Sequence, residues 1–304
     1  MIFLQLVVNG LTAGTLFALV AIGYTMVYGI IELINFAHGD LFMLGAFLAL
    51  TLVGAMHLDQ AGTAGAVGGV LLVFLICMTS CAALNAAVDR IVYKPLRKAP
   101  KLTPLVSAIG VSFVFMGLGQ VWKGVADINF PDLLPGTNLF GKDPDALRFT
   151  VKDLFVFVVT VPLMAGLTLF VKFTKLGKAM RAVAQNPVAA QLMGIHVDRV
   201  ISATFLIGGA LAGAAAVIYG LWIRTVSFQM GYQNGLYAFT AAVLGGIGNL
   251  PGAMLGGIVI GLVRSLGILY VGEQWTSALV FGILILILVF RPTGLLGART
   301  REKV

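Results

Sequence analysis

The chain has 304 residues, of which 59% are hydrophobic and only 11% are charged, and its mean hydropathy is +1.01. Soluble domains contain about 25% charged residues. Twenty basic and 12 acidic side chains cannot cover the surface of a soluble fold of this size. The composition therefore excludes a soluble globular protein and predicts an all-α polytopic membrane protein.

Apolar segments mark the predicted membrane spans. Crossing the hydrocarbon core takes about 20 helical residues, and two apolar segments, 24–34 and 236–248, are too short to cross it alone. Each follows a full span and precedes a short polar break. The sequence thus predicts about eight full transmembrane helices and two short discontinuous helices. The full spans are 2–22, 39–56, 64–88, 102–122, 154–173, 200–223, 251–271 and 276–290.

Charged residues orient these spans. Most basic residues lie in three stretches, a loop at 89–101, a loop at 174–199 with its flank, and a tail at 291–304. Basic loops beside apolar spans are typical of the cytoplasmic side. The connector 123–153 is slightly acidic and contains three prolines, so we expect a periplasmic loop. No aromatic residues interleave with the basic ones to form a nucleic-acid surface.

The order of long and short segments predicts two pseudo-repeated halves. Residues 1–88 and 200–290 each contain a long, a short and two further long segments. If the short segments count as crossings, the N-terminus is cytoplasmic. If residues 2–31 instead form one long tilted helix, the N-terminus is periplasmic.

Interrupted helices at matching places in two halves are typical of transport sites. Asn35 to Asp40 and Gly245 to Gly252 are therefore the candidate site regions. Helix ends there would present free N–H groups that suit a carboxylate. We expect Phe36, Phe239 and Met43 to line an apolar cavity.

The residues give no sign of an enzyme. His38, His57 and His196 have no neighbours at metal-ligand spacing, and no P-loop motif occurs. We therefore expect no cofactor on this chain. Cys77 and Cys81 stand within an apolar run and are interpreted as small hydrophobic residues.

The stretch 175–199 is basic and amphipathic, with Pro187 before a short helix that ends at Gly194. From its residues alone, it could be a docking surface or a solvated connector.

Five sequence blocks in order resemble the permease of branched-chain amino acid ABC importers, of the leucine, isoleucine and valine type, across essentially the whole chain. One block alone would be a weak signal. The blocks are GYTMVYG at 23–29 with INFAHGD at 34–40, SAIG at 107–110, GKAMR at 177–181 with Asn186 and 194–195, AFTAAVLGGIGN at 238–249 with PGA at 251–253, and PTG at 292–294.

The resemblance implies an importer that works by alternating access in a bacterial inner membrane. The implied partners are a second homologous permease, two ATP-binding subunits that carry ATP and magnesium, and a periplasmic amino-acid-binding protein. The coupling loop that contacts the ATPase would include Gly177, Arg181, Ala182, Asn186, Ala190 and Gly194. The substrate pathway would include Tyr24, Tyr28, Asn35, Phe36, His38, Gly39, Asp40, Phe239, Thr240, Gly245, Gly246, Gly248 and Asn249.

The chain departs from the family pattern at intramembrane charges. Asp40 stands where the family usually has Glu, and Arg264 stands where it usually has an acidic residue. Glu32 stands where Gly is usual. Charges at membrane depth are costly unless paired. We hypothesise that Glu32 or Asp40 pairs with Arg264, the alternative being that Arg264 reaches the interface by snorkelling. Tyr237 also replaces a usual Lys.

Two other functions stay open from the sequence. Related permeases for urea or short-chain amides share these motifs, and an ion-coupled secondary transporter would need no ATPase.

Overall fold

The computed structural model describes residues 2–31, 35–60, 63–97, 99–100, 102–141, 147–291 and 293–297, and these form an almost wholly helical protein. The first part contains α1 (Ile2–Ile31), α2 (Ala37–Ala55) and α3 (Thr63–Val88). A π-helical turn at Asp89–Tyr93 and the short α4 (Lys94–Leu96) prolong α3, and α5 (Leu102–Lys123) follows. The rest comprises β1 (Ile128–Asn129), α6 (Val151–Phe173), α7 (Lys175–Gln185), α8 (Pro187–Leu192), α9 (Val197–Ile223), β2 (Thr225–Val226), α10 (Met230–Gly245), α11 (Leu250–Tyr270) and α12 (Glu273–Phe290).

Within the described residues, eight helices are long and apolar enough to cross a membrane. They are α1, α2, α3 with its extension, α5, α6, α9, α11 and α12, which correspond in order to the eight predicted spans. The all-α polytopic fold is therefore confirmed. The short helix predicted at 236–248 is present as α10, although it begins six residues earlier, at Met230.

The other predicted short helix, 24–34, is wrong. Residues 2–31 form one continuous helix, and at 1.5 Å per residue its 30 residues extend about 45 Å. Gly23 lies in the interior of this helix and does not break it. Its missing side chain makes room for the imidazole of His38. The alternative, a single long helix, is the one observed.

This long α1 lies at the centre of the bundle. Most of its residues between Gly10 and Val27 are buried, and it packs against α9, α10 and α11. Two small residues set its closest crossing. A Cβ on Gly14 would lie 2.8 Å from the Cα of Ile258 on α11, and Gly10 is similarly close to Leu262. Such close backbone approach is the usual way in which small residues join membrane helices.

A second close crossing joins α3 to α9. A Cβ on Gly213 would lie 2.9 Å from the Cα of Met78, and one on Gly209 would lie 2.9 Å from the Cα of Ala82. Cys77 and Cys81 are free and buried in this crossing. They act as small hydrophobic residues, as their positions in the sequence predict. Both crossings pack helices of one predicted half against helices of the other, although the repeat itself stays a prediction.

The connector between α5 and α6 is fastened to the end of α9. The strands β1 and β2 pair antiparallel, with Ile128 opposite Val226. The carboxylate of Asp132 forms ion pairs with Lys152 at 2.8 Å and with Arg224 at 2.9 Å. Arg224 has a left-handed backbone with φ of 63°, which turns the chain from α9 into β2. The described part of this loop is therefore ordered by α9 and forms one face of the protein.

The start of α1 lies on this same face. The side chain of Gln5 donates a hydrogen bond to the carbonyl of Arg148 and accepts one from its N–H. If the connector is periplasmic, the N-terminus is periplasmic too. Of the two topologies that the sequence left open, the structure has the one in which residues 2–31 make a single crossing.

Candidate substrate cavity and coupling surface

A cavity of about 520 Å³ opens between α1, α2, α5 and α10. Its size is within the range of sites for small molecules. Tyr24 and Phe36 are the predicted pathway residues that line it. The remaining lining comes from α5 and α10 and was not singled out as a site in the sequence. These residues are Ile109, Ser112, Phe113, Met116, Gly231, Tyr232, Gly235 and Leu236.

Glycines shape the inner wall of this cavity. A Cβ on Gly39 of α2 would lie 2.8 Å from the Cα of Gly235 on α10 and 3.1 Å from the hydroxyl of Tyr24. The N–H of Gly39 donates a 3.1 Å hydrogen bond to that hydroxyl. The predicted residues Tyr24 and Gly39 are therefore in contact, and a side chain at position 39 would push α2 and α10 apart.

Asp40 is a buried carboxylate directly behind the cavity wall. Asp40 is only 1% exposed. Its Oδ2 accepts a hydrogen bond from the hydroxyl of Ser112, which lines the cavity. Its Oδ1 has no hydrogen-bond partner among the described residues and lies against Gly231. An uncompensated carboxylate at this depth is costly.

The predicted ion pair between Asp40 and Arg264 is not formed. No ion pair within 4.0 Å joins these two side chains, both of which lie in the described part of the chain. The guanidinium of Arg264 instead lies 5.0 Å from the ring centre of Tyr237 and 5.7 Å from that of Phe17. These rings can stabilise a cation through its attraction to their π faces. Glu32, the other proposed partner, lies outside the described residues.

Aromatic side chains surround Tyr24. The ring centres of Tyr24 and His38 are 4.8 Å apart in an edge-on arrangement, and Phe239 lies 5.9 Å from Phe36. Tyr28 joins Tyr24 and Phe239 at a narrow cleft beside the main cavity. The sequence therefore identified residues that the fold does bring together here.

Two other predicted residues face elsewhere. Thr240 is fully buried, and its hydroxyl donates to the carbonyl of Leu236 within α10. Met43 is fully buried against Gly119 of α5, so the cavity lining that was predicted for it is wrong. An apolar residue on α2 looks the same in the sequence whether it faces the cavity or a neighbouring helix.

The second predicted site region, Gly245 to Gly252, is covered by the chain itself. The N–H groups of Leu295 and Leu296 donate to the carbonyls of Leu244 and Gly245 at 2.8 and 3.0 Å. Gly246 and Gly248 have positive φ values, 104° and 87°, which explains why glycine stands at both. This turn is a docking point for residues 293–297 and not part of the cavity lining.

Both helix ends expected to bind a carboxylate are capped internally. The side-chain oxygen of Asn249 accepts from the N–H of Gly252 at the start of α11. At the start of α2, the carbonyl of Asn35 accepts from the N–H of His38, and Tyr24 accepts from Gly39. These caps satisfy donors that a substrate carboxylate would otherwise need, so the structure does not support the expected anion sites.

The coupling loop is built as two helices joined at Asn186. Its side-chain oxygen accepts from the N–H groups of Val188 and Ala189, each at 3.0 Å, and so begins α8. Gly194 has a φ of 81° and ends the α8 segment. Gly177 packs without room for a side chain against the end of α6, and Ala190 is buried. Ala182 is partly buried, whereas Arg181 is exposed and donates to the carbonyl of Lys172.

Exposed apolar side chains lie on this same segment. Leu192 is 84% exposed and Met193 is 83% exposed, and Val188 on α8 is exposed as well. The amphipathic pattern predicted a surface but did not single out these three residues. Since α6 separates this segment from the face that holds Arg148, the exposed group lies at the opposite end of the bundle.

No group of three or more His, Cys, Asp or Glu residues within the described ranges is placed to hold a metal ion. What the geometry offers is a cavity of substrate size among membrane helices, with an exposed docking surface at one end. These features define a multi-pass membrane permease.

Comparison with known proteins identifies the family. Residues 6–289 match the family of permease components of branched-chain amino acid transport systems, and the chain belongs to it. It is 43% identical to the high-affinity branched-chain amino acid permease protein BraD of Pseudomonas aeruginosa, over 99% of this chain and 98% of that protein. It is 38% identical to the permease protein LivH of Escherichia coli, with the same coverage, and 28% identical to a probable LivH of Methanocaldococcus jannaschii over 93% and 89% of the two chains. No solved structure matches the chain.

The family resemblance of the sequence blocks is thereby confirmed, and so is the assignment as a permease rather than a catalytic subunit. The roles of single residues in the pathway and in coupling stay predictions.

Proposed function

We propose that this protein is the transmembrane permease of an ATP-driven importer that carries branched-chain amino acids from the periplasm to the cytoplasm of a bacterium, through its inner membrane. The observation that carries this proposal is the 520 Å³ cavity, whose lining is mainly aliphatic and aromatic. An aliphatic side chain gains about 25 cal/mol for each Å² of apolar surface it removes from water. Relatives over the full length are named as branched-chain amino acid permeases.

The polar groups of the cavity suit the other end of an amino acid. Ser112 and Tyr24 contribute hydroxyl groups, and the carboxylate of Asp40 is one hydrogen bond behind Ser112. An α-ammonium group that replaced the serine hydroxyl would provide the cation that Asp40 lacks among the described residues. Urea and short amides carry no such charge at neutral pH, so this pairing favours amino acids over them.

Partner subunits complete the importer in this proposal. One of two ATP-binding subunits docks on α7 and α8. These subunits carry the ATP and magnesium, because this chain has no phosphate-binding loop. The exposed side chains of Val188, Leu192 and Met193 fit a docking role, since apolar side chains in water gain free energy when a partner covers them. A second homologous permease packs against the cavity side, where Phe113 of α5 is exposed.

A periplasmic amino-acid-binding protein then delivers substrate to the face formed by the α5–α6 connector. ATP-driven closure of the cytoplasmic subunits moves the coupling loop and switches the cavity between outward and inward access. The permease contributes the path and the moving helices but no bond chemistry.

Reconstitution tests the proposal. The complex purified through a tag on this chain is placed in liposomes with its binding protein outside and ATP inside, and leucine uptake is measured. We expect uptake that requires ATP and persists when ionophores collapse proton and sodium gradients. Uptake driven by an ion gradient without ATP would identify a secondary transporter instead. Uptake of urea or acetamide in place of leucine would overturn the substrate class.

A further inference from the structure

A polar cluster, buried at its centre and exposed at Asp198, connects the end of the coupling loop to the start of α2. It consists of Asn35, Asn85, Asp89, Tyr93, Arg97, Asp198 and Ser202. None of these was assigned to coupling from the sequence, and Asn35 was assigned to the substrate pathway. The residues come from three parts of the chain that are far apart in sequence, at 35, 85–97 and 198–202.

The cluster begins where the coupling loop ends. Asp198, in the first turn of α9, is four residues beyond Gly194 and forms ion pairs with Lys94 at 3.3 Å and with Arg97. Arg97 also binds the carboxylate of Asp89 at 2.7 Å. Asp89 is fully buried, and its other oxygen accepts a 2.6 Å hydrogen bond from Ser202 of α9. The start of α9 is thereby fixed to the π-helical turn.

The other end of the turn contacts Asn35, which precedes the cavity-lining Phe36. Tyr93 ends the turn, and its hydroxyl donates a 2.8 Å hydrogen bond to the side-chain oxygen of Asn35. The amide of Asn35 points to Asn85 at 3.5 Å, and Asn85 donates to the carbonyl of Phe205 at 2.7 Å. The ring of Tyr93 also packs on Phe205, with centres 5.4 Å apart.

Asn35 is placed to transmit a movement to the cavity. Its carbonyl accepts from the N–H of His38, and the next residue, Phe36, lines the cavity. Asp40 lies on the first turn of α2, which begins directly after Phe36. A shift of Tyr93 relative to α9 therefore moves the start of α2, which carries both the aromatic lining and the buried carboxylate.

The turn between these ends is a π-helix, which is rare and occurs mostly as single turns at functional sites. A buried charge such as Asp89 costs free energy unless it is paired, and its bonds to Arg97 and Ser202 hold it in one arrangement. Packed polar networks of this kind have discrete arrangements, which is what coupling between distant sites needs.

We propose that Asp89 and Tyr93 are positioning residues, through which a movement of the coupling loop sets the position of Asn35 and the start of α2 at the cavity. This inference rests on the proposed importer function.

Its test is the ratio of leucine transported to ATP hydrolysed by the reconstituted complex. Tyr93→Phe removes only the hydroxyl and keeps the ring against Phe205. We expect ATP hydrolysis to continue while the transport ratio falls about fivefold or more, the usual lower size of coupling between sites. The control Tyr237→Phe removes a tyrosine hydrogen bond outside the cluster, the 2.7 Å bond between the hydroxyls of Tyr237 and Ser277, and should keep the ratio. An unchanged ratio in Tyr93→Phe overturns the inference.

A double variant tests whether the contact itself matters. If Tyr93 acts through Asn35, the double variant Tyr93→Phe with Asn35→Ala couples no worse than the poorer single variant. Additive losses would overturn the proposed route.

A second measurement does not depend on leucine. A cysteine introduced as Phe36→Cys reports the access of a thiol reagent to the cavity, and the native Cys77 and Cys81 are buried. ATP with vanadate should change the labelling rate of this cysteine when Phe36→Cys is the only substitution. The rate should not change when Tyr93→Phe is also present. If that change occurs in both, the inference fails. If the complex with Phe36→Cys alone shows the change, yet the native complex carries no leucine, the proposed substrate fails and the inference stands.

Discussion

Gln5 and Arg148, which are 143 positions apart, exchange two hydrogen bonds, at 2.9 Å from the amide of Gln5 to the carbonyl of Arg148 and at 2.8 Å in return. The backbone N–H and carbonyl of Arg148 are both bonded to the side chain of Gln5, and this pairing holds the two segments side by side. The first turns of α1 and the end of the α5–α6 connector therefore share one face of the membrane.

This pairing predicts the sidedness of the N-terminus. In intact cells stripped of the outer membrane, an impermeant maleimide should label Phe3→Cys, because Phe3 is exposed near Gln5. Met193→Cys, exposed on the coupling loop, should be labelled only after the membrane is permeabilised. Labelling of both cysteines from the same side would contradict the arrangement.

The reason that sequence reasoning left open whether residues 2–31 cross once or twice is physical. Hydropathy measures whether a segment can be buried in lipid, and residues 2–31 are apolar throughout with a glycine and tyrosines in the middle. In the structure Gly23 lies inside the continuous α1, and His38 of α2 packs on it. That contact is not visible in the local pattern.

The same limit applied to the cavity. Eight spans could be predicted because about 20 apolar residues are needed to cross a bilayer. Which face of α5 looks inward could not be predicted, since Phe113 in the cavity and Val121 on the outside are equally apolar. Phe36 and Gly39 were found because they lie in the predicted interruption at 35–40, and Tyr24 because it lies in a sequence block that resembles the family. The contact of Gly246 with residues 293–297 joins distant parts of the chain and left no local signal.

The crossing of α1 and α11 predicts a selective loss of stability. Gly14→Val would place side-chain atoms where the backbone of Ile258 lies, and overpacking of this kind costs about 1–3 kcal/mol. We expect a lower melting temperature of the purified protein in detergent. Gly282→Val is the matched control, because Gly282 is also within a helix and has no atom within 4 Å of an added Cβ. Equal melting temperatures for the two variants would show that the crossing tolerates a larger residue.

The buried carboxylate predicts a dependence of transport on charge at position 40. Asp40→Asn keeps the shape but removes the negative charge, and a hydrogen bond to a charged group contributes about 1.5–3 kcal/mol, or roughly tenfold and more. Leucine uptake by the reconstituted complex should fall by that factor. Asp40→Glu keeps the charge and should retain most of the uptake. Normal uptake by Asp40→Asn would mean that the carboxylate does not bind the substrate ammonium group.

The exposed apolar residues of the coupling segment predict how the ATPase subunits are held. Leu192→Asp and Met193→Asp place charges in the proposed contact, and truncated or charged anchor residues at interfaces cost about 2 kcal/mol or more. The ATP-binding subunits should no longer copurify with the tagged permease. Leu139→Asp, on the connector at the opposite face and also exposed, should leave copurification intact. If all three variants retain the subunits, the docking surface lies elsewhere.

Asn249 predicts how the tail is held on the α10–α11 turn. Its side chain caps α11 at Gly252 and donates a 2.6 Å hydrogen bond to the carbonyl of Leu296. Asn249→Ala removes both contacts, and the loss of a helix cap alone costs about 1 kcal/mol. The amides of Leu295 and Leu296, which donate to Leu244 and Gly245, should then exchange faster with deuterated solvent. Asn186→Ala removes the corresponding cap of α8 and should leave their exchange unchanged, because the backbone of α8 forms no hydrogen bond with residues 293–297 among the described residues. Equal protection of both amides in the Asn249 variant and the native protein would mean that their bonds to α10 hold the tail without Asn249.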